Sequence, residues 1–220
     1  MALLLRIVTI DLRLLATTWR TAAYFPLTAG AVLVALWPYG GSPYIPVVAA
    51  LFAGLESQYA NILFRSPREF EAYAIVPVPW ETIILGKNIA TLIATYGLYG
   101  LMSLALWYTL PERPSGPETY GGSLWIATLA FPFLHIGNQI SVRKPRRRVE
   151  WSFDDVASAF VFLAMGALLS IPYFLCATLI GEPLLALPYI GGAAAFWFKF
   201  SIPRSALRVR STINDLSLTL

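Results

Sequence analysis

Long apolar runs, separated by short polar segments, dominate the pattern of this chain. Crossing a bilayer core of about 30 Å takes about 20 mainly apolar residues in a helix. Several runs reach or approach this length, and the stretch 156–180 carries no charge at all. The pattern predicts an all-α membrane protein with six spans, at about 22–38, 44–64, 82–109, 123–140, 156–180 and 184–202.

The first 21 residues show a different period. Arg6, Thr9, Arg13, Thr17 and Arg20 recur at spacings of three and four, which places them on one face of a helix. The other faces are largely apolar. This predicts an amphipathic helix over 1–21 that lies in the membrane interface with its apolar side in lipid.

One acidic residue of this predicted helix, Asp11, falls outside the polar stripe. The pattern assigns it no role.

Composition and charge support the membrane class and its orientation. The chain is 57% hydrophobic and 13% charged, beyond the range of an ordinary soluble domain. With six spans, fifteen basic residues fall on the side of both termini and only Arg113 on the other. The positive-inside rule places the basic side in the cytoplasm, so we expect a multi-pass protein of a bacterial-type inner membrane. The basic run 143–148 is typical of such a loop, and nucleic acid is not an expected partner.

A charged segment, residues 64–87, interrupts the apolar pattern between the second and third predicted spans. Ser66 and Glu69 have the spacing of a capping box, and Pro67 stands in the first helical turn. The residue before a proline avoids the helical region, so the helix must end before Pro77 and Pro79. The segment therefore predicts a short cytoplasmic helix over about 66–74 and a stiff elbow. A helix this short needs a packing partner.

This layout resembles type-2 ABC exporter permeases. The resemblance rests on Glu56, on the segment REFEAY and on VPVPWETIILGK, and its specific part covers residues 56–88. The segment GNQISVRKP, 137–145, is also similar to the end of span four in some small members. The chain departs from the family between spans five and six, where only Gly181, Glu182 and Pro183 stand in place of a re-entrant element.

The resemblance implies a function and partners. The chain would be a permease subunit that pairs with a second copy or a sister subunit and couples transport to a separate ATPase subunit, which binds ATP and Mg²⁺. In the family the short helix is the coupling helix, which docks into the ATPase. Carried over, the docking residues are Pro67, Arg68, Glu69, Phe70, Glu71 and Tyr73, with the elbow at Pro77 and Pro79.

The chain shows no catalytic or nucleotide-binding motif of its own. Gly86 and Lys87 do not form a phosphate loop, because Glu81 stands at the position of its first glycine. One histidine and one cysteine cannot form the usual zinc sites. We therefore expect no catalytic residue, no metal and no cofactor in this chain.

Polar residues within predicted spans are the remaining candidates for function. Glu56 and Lys87 lie about 12 Å deep on adjacent spans, counted at 1.5 Å per residue, and could form an ion pair. The pair would belong either to a polar translocation path or to the packing of the bundle. His135, Asn138 and Gln139 cluster near the inner end of span four and could serve as interhelical hydrogen-bonding groups.

Two other function classes remain open at this point. The first is a membrane scaffold of an ATPase-driven assembly or maturation complex, because small permeases of cytochrome maturation are similar in size and layout. The second is a membrane-embedded enzyme of lipid metabolism, which would need a cluster of acidic, histidine or metal-ligating residues at one interface. The nature of the cargo is left undetermined by the sequence.

Overall fold

The computed structural model describes residues 1–17, 73–109, 116–143 and 168–217. These residues are helical apart from short connections, and none of them lies in a strand. The predicted all-α class is confirmed for this part of the chain. The spans predicted at 22–38 and 44–64 lie outside it.

The described helices are named in chain order. They are α1 (Ala2–Thr17), α2 (Trp80–Thr109), α3 (Gly116–Arg143), α4 (described from residue 168, closing in a π-helical turn Leu175–Ile180), α5 (Leu187–Phe196) and α6 (Ile202–Ser217). A 3₁₀ turn, Pro183–Ala186, precedes α5, and a π-helical turn, Trp197–Ser201, joins α5 to α6. Gly181 ends α4 with φ 77°, a left-handed conformation that glycine adopts without a side-chain clash.

One stretch of the described chain is long and apolar enough to cross a bilayer. It is the continuous helical run Pro183–Ser211, of 29 residues, which contains the predicted span 184–202. At 1.5 Å per residue, 29 residues extend over about 43 Å, more than the apolar thickness of a membrane. The six-span arrangement as a whole stays a prediction.

Two clusters of buried side chains hold the described helices together. The first cluster joins α2, α3, the π-helical turn and α6 and consists of Ile84, Leu134, Trp197, Ile202, Ala206 and Val209. Its α6 members recur at spacings of four and three, so they share one face of that helix, while Arg204 and Arg210 are exposed. The π-helical turn thus connects the apolar helix α5 to the amphipathic helix α6.

The second cluster joins the far half of α2 to α3 and α4. It consists of Tyr99, Trp125, Ile126, Leu129, Phe133, Tyr173 and Ala186. The indole Nε1 of Trp125 donates a hydrogen bond to Ser170 Oγ at 2.6 Å, which satisfies the polar group of a nearly inaccessible ring. Gly122 lies where an added Cβ would overlap the Tyr99 ring, so the two helices approach closely there.

Candidate functional site

The elbow before α2 follows the pattern of its prolines. Residues 73–75 form a helical turn, the chain bends at Val76, and 77–79 are not helical. Val78 N–H donates to the Val76 carbonyl at 2.7 Å, a tight turn between the two prolines. The Pro79 carbonyl then accepts from Thr82 N–H at 2.9 Å, which starts α2 immediately after the elbow. The helical turn ends before Pro77 because of the restriction that proline imposes on the preceding residue.

A buried ion pair joins α1 to α2 eight residues beyond Pro79, the end of the elbow. Lys87 Nζ lies 3.0 Å from Asp11 Oδ1 and 3.4 Å from Oδ2. The two side chains are 3% and 6% exposed. A charge buried to this degree is stable only with a partner, so each residue makes the burial of the other possible. Asp11, which the sequence pattern left without a role, is therefore the carboxylate that faces Lys87.

Tyr73 brings the end of the predicted coupling segment to the same lysine. The Lys87 ammonium lies 5.2 Å from the centroid of the Tyr73 ring, within the range of a cation–π interaction. The ring is half-buried and also packs against the first cluster. From its position on α2, Lys87 thus contacts both α1 and Tyr73, which lies near the end of the predicted coupling segment.

Helix α1 packs on α2 through a narrow face. Ile7, Val8 and Asp11 are buried, at the spacing of one helical face. Gly86 allows the close approach, because a Cβ there would lie 2.7 Å from Ile7 Cγ2. The predicted polar face of α1 remains exposed at Arg6, Thr9 and Arg13, and a flanking apolar row is also exposed: Leu3, Ile10 and Leu14. The apolar side of α1 is thus divided between α2 and the surroundings.

A second, exposed ion pair joins the start of α2 to α6. Arg210 Nη2 lies 3.0 Å from Glu81 Oε1 and 3.2 Å from Oε2. The two side chains are 51% and 38% exposed, so water screens their attraction far more than that of the buried pair. The first turns of α2 therefore contact the N-terminal helix on one side and the C-terminal helix on another.

The other predicted site residues fall in two groups. Glu56 and the docking residues Pro67, Arg68, Glu69, Phe70 and Glu71 lie outside the described part of the chain. Their roles, and the pairing of Glu56 with Lys87, stay predictions. Pro77 and Pro79 are exposed at the elbow.

His135 takes part in a polar contact between α3 and α6. Its Nδ1 lies 2.8 Å from Ser201 Oγ, in the π-helical turn. One turn later on α3, Gln139 donates to Ser205 Oγ at 3.2 Å and accepts from Arg208. The structure thus gives both predicted polar residues partners in the π-helical turn or on α6, which follows it.

Asn138 and Asn88 are fully buried amides of another kind. Each lies one helical turn after a member of the first cluster, Leu134 and Ile84 respectively. Neither the amide oxygen nor the amide nitrogen of either residue has a hydrogen-bond partner among the residues that the structure describes. A buried polar group without a partner costs about 1–3 kcal/mol, so these amides are places where the bundle could bind a polar group.

The sequence carries only a partial signal for Asp11 and none for Gly86, two residues of the contact between α1 and α2. Asp11 was visible as a lone acid outside the polar stripe of a basic helix, but its partner is 76 residues away. Gly86 had no signal in its own helix, because its importance comes from Ile7. Of the described residues, no group of three or more metal-ligating side chains is close enough to bind an ion.

Comparison of the chain with protein-family models, curated proteins and solved structures gave no match.

Proposed function

We propose that this chain is the transmembrane permease subunit of an ATP-binding cassette exporter. It would act in the cytoplasmic membrane with both termini in the cytoplasm, together with a second permease subunit and a separate ATPase subunit. The observation that carries the proposal is the junction at Lys87, where the N-terminal helix, the third predicted span and the end of the capped segment meet on one buried charge.

The junction supplies a route by which motion of the capped segment reaches the membrane helices. Pro77 and Pro79 restrict the backbone between Tyr73 and α2, so the elbow transmits displacement with little internal bending. Tyr73 contacts Lys87, and Lys87 binds Asp11 on α1. A displacement of the segment would therefore move α1 and the start of α2 together.

Nucleotide hydrolysis belongs to the partner in this proposal. ATP and Mg²⁺ would be bound by the ATPase subunit, and this chain would contribute only the difference in packing energy between its conformations. The amides of Asn88 and Asn138, which have no hydrogen-bond partner in the described part of the chain, are candidate polar groups of the translocation path. A cargo molecule bound there would supply these amides with the hydrogen bonds that the described helices do not.

Docking and transmission can be separated experimentally. The chain is expressed together with the products of its neighbouring genes, and co-purification of an ATPase subunit and ATPase activity in proteoliposomes are measured. Phe70→Ala should lose co-purification, because an aromatic anchor dominates such an interface. Tyr73→Ala should retain binding and lose stimulated hydrolysis, because the ring contacts Lys87 and the first cluster.

Tyr108→Ala is the matched control, since Tyr108 is 83% exposed near the far end of α2, and it should behave as wild type. If wild-type chain captures no ATPase, the permease assignment is wrong and the scaffold or enzyme classes return. If Phe70→Ala binds and couples normally, the capped segment is only a turn between two helices.

A further inference from the structure

An apolar cleft opens between α3, α4 and α5. Its volume is about 660 Å³, within the range of ligand-binding pockets. Its walls are formed mainly by Phe131, Ile136, Leu168, Leu169 and Phe196, and Pro132 of α3 also lines it. Because proline has no N–H, the Thr128 carbonyl lacks its usual helical donor at this point of α3.

His135, a polar residue that lines this cleft, lies near basic side chains of α6. The centroid of its ring lies 5.5 Å from that of the Phe196 ring, and its Nδ1 is within hydrogen-bonding distance of Ser201 Oγ. The charged groups that act on His135 electrostatically are Arg204 and Arg208, both on the first two turns of α6. Arg208 is held by Gln139, whereas Arg204 is exposed one turn beyond Ser201.

We propose that this cleft binds one acyl chain of an anionic phospholipid, whose phosphate lies at Arg204 and His135. The inference rests on the membrane location in the proposed function. Acyl chains alone would not prefer the cleft to bulk lipid, because both are apolar. The choice of lipid therefore comes from the charge: a basic group beside an apolar cleft on the cytoplasmic side favours anionic head groups. Arg204 lies two residues beyond the predicted end of the last span, at the depth of those head groups.

Two neighbouring glycines of α5 give a matched pair of variants. Gly192 lines the cleft, and a Cβ at either Gly191 or Gly192 would meet no atom within 4 Å. Leucine at 192 would therefore start from an unobstructed Cβ at the wall of the cleft and occupy part of its volume. Leucine at 191, which is not a lining residue, would make the same chemical change in the same helix.

Binding is measured by native mass spectrometry of the delipidated full chain, titrated with phosphatidylglycerol or phosphatidylcholine. The wild-type chain should bind phosphatidylglycerol more tightly than phosphatidylcholine. Gly192→Leu should lose this binding, and Gly191→Leu should retain it. Arg204→Gln should weaken phosphatidylglycerol binding about fivefold, which corresponds to about 1 kcal/mol for one basic residue near the surface. Arg6→Gln, which removes an exposed charge from α1, should leave it unchanged.

Several results would overturn the proposal. Equal binding of both lipids, or unchanged binding by Gly192→Leu, would show that the cleft does not select an anionic lipid. If Gly192→Leu changed the oligomeric state but not the lipid content, the occupant would be a second copy of the chain. Competition by inorganic phosphate at the same affinity would reduce the site to a phosphate site. None of these readouts uses the ATPase, so a failure here is distinguishable from a failure to capture that subunit.

Discussion

The buried pair between Asp11 and Lys87 should be essential to the stability of the α1–α2 junction. Lys87→Met removes the ammonium and leaves the Asp11 carboxylate buried without its partner at 3.0 Å. Asp11→Asn leaves the Lys87 ammonium buried without the negative charge of the Asp11 carboxylate. Each single change should destabilise strongly, while the double variant, which buries no charge at this contact, should recover much of the loss.

The magnitude follows from burial. Removing one partner of a buried pair costs about 3–5 kcal/mol, because the other charge stays desolvated. For a protein of this size about 1 kcal/mol changes Tm by about 2–4 °C, so each single variant should melt about 6–20 °C lower. The double variant should lose less stability than either single variant, so the coupling energy should be about 3 kcal/mol or more, at the upper end for residues in contact.

The assay is thermal unfolding of the purified, detergent-solubilised chain, followed by tryptophan fluorescence for wild type, the two single variants and the double variant. The exposed pair Glu81–Arg210 is the matched control, since its shortest N–O distance is also 3.0 Å. The same cycle with Glu81→Gln and Arg210→Gln should give a coupling energy of about 0–1 kcal/mol, because water screens this pair.

Strict additivity of Asp11→Asn and Lys87→Met would refute the reasoning. So would single losses no larger than those of the exposed pair. Either result would mean that the two charges do not depend on each other in the folded chain.

Two further predictions concern packing and topology. Gly86→Ala should lower Tm by the equivalent of about 1–3 kcal/mol, because the added Cβ would overlap Ile7. Its control, Gly97→Ala, should be neutral or stabilising by up to about 1 kcal/mol, because a Cβ at 97 meets no atom within 4 Å. The same melting assay compares the two variants, and equal effects would contradict the close packing of α1 on α2. A single cysteine at 116 in a chain lacking Cys176 should be labelled by an impermeant maleimide from outside intact cells, and one at 144 or 220 should not; external labelling at 144 would reverse the predicted orientation.

Local chemistry was sufficient for the parts of the molecule that depend on near neighbours in sequence. The long apolar runs predicted helices, and the described residues are helical. The helical turn at 73–75 ends before Pro77, because proline acts on the residue directly before it. The exposed basic face of α1 at Arg6 and Arg13 follows from the helical period alone.

The assignment of partners was beyond the reach of the pattern. Periodicity sorts the side chains of one helix into faces, but it carries no information on which other helix each face meets. Asp11 therefore had no role until α1 was placed against Gly86 and Lys87. Tyr73 was predicted at a partner interface, and its ring is found over Lys87, a contact that depends on the bend at the elbow.

The polar groups between helices show the same division. The sequence determined that His135, Gln139 and Asn138 lie together on α3 in an apolar setting. The tertiary structure decided that the first two meet Ser201 of the π-helical turn and Ser205 of α6, and that Asn138 has no hydrogen-bond partner among the described residues. The physical reason is that a hydrogen bond needs atoms within about 3 Å. Only the packing of whole helices, and not the order of residues along one of them, sets distances at that scale.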